Sequence, residues 1–116
     1  MRMGGRYTLR KGEILRRREE IRYAFKNSRT VLSTDYFVLR YAPYSERKVL
    51  FAVERKVRGA VKRNRIKRKL RELYRLNKDR FPAGIWIFIG KEKLADLRGH
   101  PPVDWKKVEG VNPSPL

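Results

Sequence analysis

Cysteine is absent from this 116-residue sequence, and histidine occurs once, as His100 beside two prolines. Disulfides and thiolate zinc sites are therefore excluded. A His-based metal site and the paired imidazoles of a metal-free ribonuclease are excluded with them. Acidic residues are also few, 12 against 31 Lys and Arg, and they are scattered. The clustered carboxylates that a metal-dependent nuclease needs are missing, and Glu19 and Glu20 are expected to pair with arginines of their own helix. No run of about 18 apolar residues exists, so no segment reads as a bilayer span. Met1 to Lys11 is basic but lacks the apolar stretch of a secretory signal. With nothing pointing to export, the cytoplasm is the expected compartment.

What the sequence has is positive charge. A formal net charge of +19 opposes compaction by self-repulsion. A polyanionic partner would relieve it, nucleic acid first and an anionic membrane surface second. Hydrophobic residues at 41% are enough for one modest core, which argues for a single domain and against wholesale disorder.

Residues 1–9 read as a loose basic arm. Ile14, Ile21, Ala24 and Phe25 recur near one face, predicting a helix from Ile14 to Lys26. Thr30 to Ser33 is short and β-favouring. Tyr36 to Tyr41 and Lys48 to Val53 are strands by β-propensity, separated by a turn at Pro43. Gly59 to Asn77 is proline-free, with Ile66, Leu70, Leu73 and Tyr74 at i, i+4, i+7, i+8, which predicts the longest helix. Ile85 to Ile89 is an apolar run of strand length, suited to a strand covered on both faces. Lys91 to Leu97 reads as a helical turn. A last helix from Val103 to Val111 is cut short by Gly110, Pro113 and Pro115. The order predicts an α+β fold, with one sheet packed by the long helix.

Residues 55–80 hold 13 of the 31 basic residues and only two acids, Glu72 and Asp79. On the helix opposite the apolar stripe, Asn64, Lys67, Arg68, Arg71, Arg75 and Lys78 form a polar stripe. It suits a phosphate backbone, because Arg offers a planar fork of donors and Lys a mobile charge. Asn64 is short and uncharged, fit to bond a base edge or a 2′-hydroxyl. A solvated face would carry acids for i,i+4 pairing, and these are nearly absent.

The run Arg63-Asn64-Arg65-Ile66-Lys67-Arg68-Lys69-Leu70-Arg71, just after Gly59-Ala60-Val61-Lys62, resembles the arginine-asparagine-arginine signature of the bacterial ribonuclease P protein family. Three flanking features sharpen the resemblance: the strand exit Val53 to Lys56, the helix end Phe25 to Ser28 leading into Tyr36 to Leu39, and the apolar strand Ile85 to Ile89. It covers roughly residues 14–97. It implies an α-β-β-β-α-β sandwich with a final helix, a four-stranded mixed sheet like a ribosomal-protein domain, and a left-handed β-α-β crossover. The general rule for such crossovers would predict a right-handed one.

The resemblance also implies roles. Arg63, Asn64, Arg65, Lys67, Arg68 and Arg71 would bind the ribonuclease P RNA. A cleft between the first helix and the sheet would take the single-stranded 5′ leader of precursor tRNA, at Ile21, Phe25, Tyr36, Val38, Arg40, Arg55, Lys56 and Lys91. Strand alternation places Tyr36, Val38 and Arg40 on one face and Phe37, Leu39 and Tyr41 on the other. Phe25 and Tyr36 would be stacking platforms, though aromatics at such spacing also serve as ordinary core. The family's hydrolysis is carried out by the RNA with Mg²⁺ bound mainly there, so the chain itself would hold no catalytic residue and no directly ligated metal. It departs from the family pattern at Ile21, where an aromatic is common, at Glu54, where a small polar or basic residue is common, and in its truncated last helix. The rival reading is a ribosomal protein or general RNA chaperone. The tail Pro101 to Leu116 argues against it, having only Lys106 and Lys107. Nothing favours DNA or a membrane.

Overall fold

The computed structural model describes residues 11–111. The expected basic arm, residues 1–9, lies outside them. The elements run α1 (Arg18–Lys26), β1 (Arg29–Ser33), β2 (Phe37–Ala42), β3 (Arg47–Val53), α2 (Ala60–Leu76), β4 (Gly84–Gly90) and α3 (Trp105–Glu109). The four strands form one mixed sheet in the order β1-β2-β4-β3, with β3 parallel to β4 and the other pairs antiparallel. This is the expected α+β architecture, and α2 is the crossover joining β3 to β4.

Alternation decides the two faces of the sheet. Phe37, Leu39 and Tyr41 of β2, Val49 and Phe51 of β3, and Trp86 and Phe88 of β4 point to one side. There they meet Ile66, Leu70, Leu73 and Tyr74, the stripe expected to be buried on α2. Phe88 is central, with its ring 5.5 Å from Phe51, 5.8 Å from Phe81, 6.1 Å from Phe37 and 6.2 Å from Tyr74. Such offset and edge contacts add to the area buried. Gly90 lets α2 approach β4, since a Cβ there would collide with Ile66 Cγ2. Val108 of the five-residue α3 completes this core, so the last helix is as short as its Gly and Pro neighbours predicted.

The opposite face is smaller and aliphatic. Ala42, Ile85 and Ile87 are buried under α1 with Leu15 and Ala24, and Ile21 packs against them. Here the expected helix start is corrected, because α1 begins at Arg18 and not at Ile14. Ile14 instead bridges Val49, and the Leu15 N–H donates to Val49 O at 2.9 Å. The outer edge of β3 has backbone groups to satisfy, and residues 14–15 cover them as a strand-like segment.

Glu13 anchors that segment. Its carboxylate receives hydrogen bonds from Lys78 Nζ at 2.7 Å and Tyr74 OH at 3.0 Å, and Arg47 Nη2 lies 3.9 Å away. Burial, the largest cause, and the nearby Glu13 carboxylate push the Tyr74 phenol up, and Arg47 opposes them. Lys78 is only 5% exposed, so it does not belong to the outer basic stripe on which the helical period had placed it. The expected pairing of Glu19 and Glu20 with helix arginines is also absent among the described residues. Glu20 instead accepts a long hydrogen bond, 3.5 Å, from Tyr44 OH.

Candidate nucleic-acid interface

The sheet face under α1 is only half covered. Along one end, Val38, Ile89 and Ala52 stand side by side in register across β2, β4 and β3, and none is fully buried. Leu50 is likewise partly exposed. The end of α1 is tied beside this floor by Arg40. Its Nε donates to Ser28 Oγ at 2.7 Å, its Nη2 to Ser28 O at 2.8 Å and its Nη1 to Thr30 Oγ1 at 3.0 Å. Ile21 packs down onto the aliphatic cluster, whereas Phe25, one helical turn on, is 41% exposed. An exposed Phe at the rim of an open apolar floor is what a stacked base requires.

The remaining expected cleft residues gather at the same end of the sheet. Val53 and Phe37 both register with Gly90, so the chain leaving β3, the chain leaving β4 and the chain entering β2 converge there. Arg55 and Lys56 are exposed in the turn after β3. The Lys91 N–H donates to Tyr36 O at 2.9 Å and Lys91 Nζ to Thr34 O at 2.7 Å. Glu54 also sits here, with Oε1 buried and without a hydrogen bond. Tyr36 departs from the expected alternation. It lies before β2 begins, in a turn where the Thr34 hydroxyl accepts its N–H at 3.1 Å, and its side chain packs against the α2-side core. The structure therefore groups Ile21, Phe25, Val38 and Arg40 as floor and rim, and Arg55, Lys56 and Lys91 as a basic end.

On the other side of the sheet, the cations of α2 divide into two sets. Arg63 donates from Nη1 to Val57 O at 2.7 Å and Glu54 O at 3.0 Å, and from Nη2 to Val53 O at 3.3 Å. It closes the loop between β3 and α2, so the first arginine of the signature is largely committed to the fold. Lys69 Nζ caps the 3-10 segment Glu92–Asp96 through Leu94 O at 3.1 Å and the carbonyl of Leu97. Lys62 pairs with Glu92 at 2.8 Å, and Arg75 pairs with Glu72 at 2.6 Å. Bonded to Lys62, the Glu92 carboxyl is held below its ordinary range.

The second set is Arg65, Lys67, Arg68 and Arg71. Arg65, Lys67 and Arg68 have no side-chain hydrogen bond or ion pair to another described residue, and Arg71 lies over the Phe51 ring at 5.7 Å. Asn64 is exposed among them. Sequence reasoning did not single out Arg63, Lys69 and Lys78 as structural cations. Their partners are carbonyls and a carboxylate outside the helix, so helical spacing carries no signal for them.

Comparison with known proteins decides the family. The ribonuclease P family model matches residues 9–100. The chain belongs to the ribonuclease P protein family. The ribonuclease P protein component of Nitratiruptor sp. is 35% identical over 97 residues, covering 84% of this chain and 83% of that one. That of Pelotomaculum thermopropionicum is 51% identical over 49 residues, but these span 41% of this chain and 44% of that relative. Among solved structures, the RNase P protein from Thermotoga maritima superimposes with a TM-score of 0.58 at 32% identity, covering 72% of this chain and 78% of that one. This member of the ribonuclease P family carries its Arg63-Asn64-Arg65 run on a helix that crosses between parallel strands.

Among the described residues, no helix is long and apolar enough to cross a membrane. None of their His, Asp and Glu side chains gather in threes or more where a metal ion could be held.

Proposed function

We propose that this chain is the RNA-binding subunit of a cytoplasmic ribonuclease P, and that it uses two separate surfaces for two RNAs. The uncommitted side chains of α2, Asn64, Arg65, Lys67, Arg68 and Arg71, bind the phosphate backbone of the catalytic RNA. The open sheet face beside α1 receives the 5′ leader of precursor tRNA. Phe25 stacks on a base, Val38 and Ile89 form the apolar floor, and Arg55, Lys56 and Lys91 meet the phosphates. Arg40 acts by fixing the end of α1, since three of its bonds go to Ser28 and Thr30. Arg63 acts similarly by shaping the loop that carries Arg55 and Lys56 into α2.

The observation that carries this reading is the half-covered sheet face, with Phe25 exposed at its rim and a cluster of cations at its end. A ribosomal or chaperone role would need charge but not a cleft of this kind. Hydrolysis is assigned to the RNA and its Mg²⁺, as the resemblance to the ribonuclease P protein family implies. The test is reconstitution with a bacterial ribonuclease P RNA and a precursor-tRNA cleavage assay at low Mg²⁺. The expected result is cleavage by the complex and none by the RNA-free protein after nuclease treatment. Cleavage by the protein alone, or no stimulation of the RNA, contradicts the proposal.

A further inference from the structure

The outer face of α2 holds one residue that a phosphate-binding stripe does not explain. Val61 is 74% exposed, more than Tyr23, Phe25 or Leu76. A β-branched residue has no propensity advantage in a helix, and here it has no core to pack against. It lines a shallow depression of about 290 Å³ with Asn64, Arg65 and Arg68. These four residues lie at i, i+3, i+4 and i+7, on one stripe of the helix. None of their side chains makes a hydrogen bond or ion pair with another described residue, although Lys62, Arg63, Lys69 and Arg75 on the same helix all do. Three of the uncommitted polar groups of the helix thus line one depression with its one strongly exposed apolar side chain.

Phosphates explain Arg65 and Arg68. They do not explain an apolar wall or a neutral amide with both donor and acceptor free. A nucleobase does. Its face is apolar and packs on a methyl-bearing side chain. Its edge offers donors and acceptors that an Asn amide matches in pairs. Its own phosphates lie within reach of flanking arginines. The depression is at the lower end of small-ligand sites, about 300 Å³; it has room for one planar group and not for a run of stacked bases. A fully paired helix keeps its bases out of reach, so the base must be unpaired. We infer that Val61 and Asn64 seat a single unpaired nucleobase of the catalytic RNA, with Arg65 and Arg68 holding the phosphates on either side. This rests on the proposed binding of that RNA by α2 and adds that the contact reads a base.

Counterion release separates a base contact from a phosphate contact, because only the latter contributes to the salt dependence of binding. The experiment measures affinity of the full chain for a bacterial ribonuclease P RNA and for a fully paired RNA duplex across a salt series. The variants are Val61→Ser, Asn64→Ala and Arg68→Ala, all at exposed positions, with melting curves to verify folding. Val61→Ser is expected to weaken binding to the catalytic RNA about five- to tenfold, in line with losing most of an apolar side-chain contact. Its salt slope should be unchanged, and its affinity for the duplex should equal wild type. Arg68→Ala should instead lower the slope by about 0.7 to 0.9 on both RNAs. Chemical probing should show a base shielded by the wild type and reactive again with Val61→Ser. A Val61→Ser protein that binds the catalytic RNA like wild type, or loses affinity equally for the duplex, overturns the base seat. Failure of the parent reading looks different: the wild type would bind the catalytic RNA no better than the duplex, and the base seat would fall with it.

Discussion

On the α2 side of the sheet, Phe37, Phe51, Trp86 and Phe88 are sealed by the long helix. On the α1 side, the same strands present Val38, Leu50, Ala52 and Ile89, and α1 leaves these partly open. The difference lies in what each face has to do. The aromatic face buries the area that holds together a chain of net charge +19. The aliphatic face is flat and half covered, and so it can take an extended ligand. Substitutions on adjacent residues of one strand should therefore separate stability from binding.

The largest expected contrast is Phe88→Ala against Ile89→Ala. Phe88 is fully buried at the centre of four aromatic contacts. Its loss should cost about 3–5 kcal/mol in urea unfolding. Ile89 is partly exposed, and its truncation should cost about 1 kcal/mol or less while weakening leader binding. Equal stability losses would break the comparison.

Next is the Glu13 anchor. Glu13→Ala leaves Lys78 buried without its 2.7 Å partner, and breaking a buried pair costs about 3–5 kcal/mol. Glu13→Leu combined with Lys78→Met should recover part of this, because the buried ammonium is then removed together with its carboxylate. A single substitution as mild as the double one would show that the anchor is not a buried pair in solution.

Within α2, Arg63→Ala should destabilise the fold by about 1–3 kcal/mol by removing the guanidinium that bonds the carbonyls of Val53, Glu54 and Val57. Arg68→Ala should leave the melting temperature unchanged and lower RNA affinity. The opposite pattern would reverse the division of labour between the two cations.

The smallest effect concerns Lys62 and Glu92, an ion pair at the surface. The pair holds the Glu92 carboxyl below its ordinary range. A carboxyl lowered on folding contributes stability above its unfolded pKa and loses it as pH falls through the folded value. Lys62→Ala should return the Glu92 titration toward the ordinary carboxylate range, read by NMR. The change in melting temperature at neutral pH should be within error, since exposed pairs contribute little.

Much of this was legible in the sequence. The i, i+4, i+7, i+8 spacing of Ile66, Leu70, Leu73 and Tyr74 located the buried face of α2, and alternation separated Phe37, Leu39 and Tyr41 from Val38 and Arg40 on the opposite face of the sheet. Periodicity failed where a long-range partner competed with it. Ile14 and Leu15 fit a helix pattern but were captured by the free edge of β3. Lys78 fits the outer stripe but is drawn inward by Glu13, 65 positions away. Tyr36 fits the strand alternation but precedes the strand, in a turn organised by the Thr34 hydroxyl. The motif likewise marked where the charges sit but not which were already spent. Arg63 and Lys69 donate to carbonyls of loops, and backbone acceptors leave no trace in side-chain spacing.

The central claim is that the half-covered face takes the leader while α2 takes the catalytic RNA. It is tested most directly by the affinity of the reconstituted holoenzyme for precursor tRNA relative to mature tRNA, with wild-type and Phe25→Ala protein. Phe25 is 41% exposed, so the variant should fold, and circular dichroism and melting verify this. Losing a stacking platform is worth about 1–3 kcal/mol per base. The preference for leader-bearing substrate should therefore fall by roughly 5- to 150-fold, with mature-tRNA binding and holoenzyme assembly unchanged. A folded Phe25→Ala protein that discriminates the two substrates as well as wild type would contradict the account.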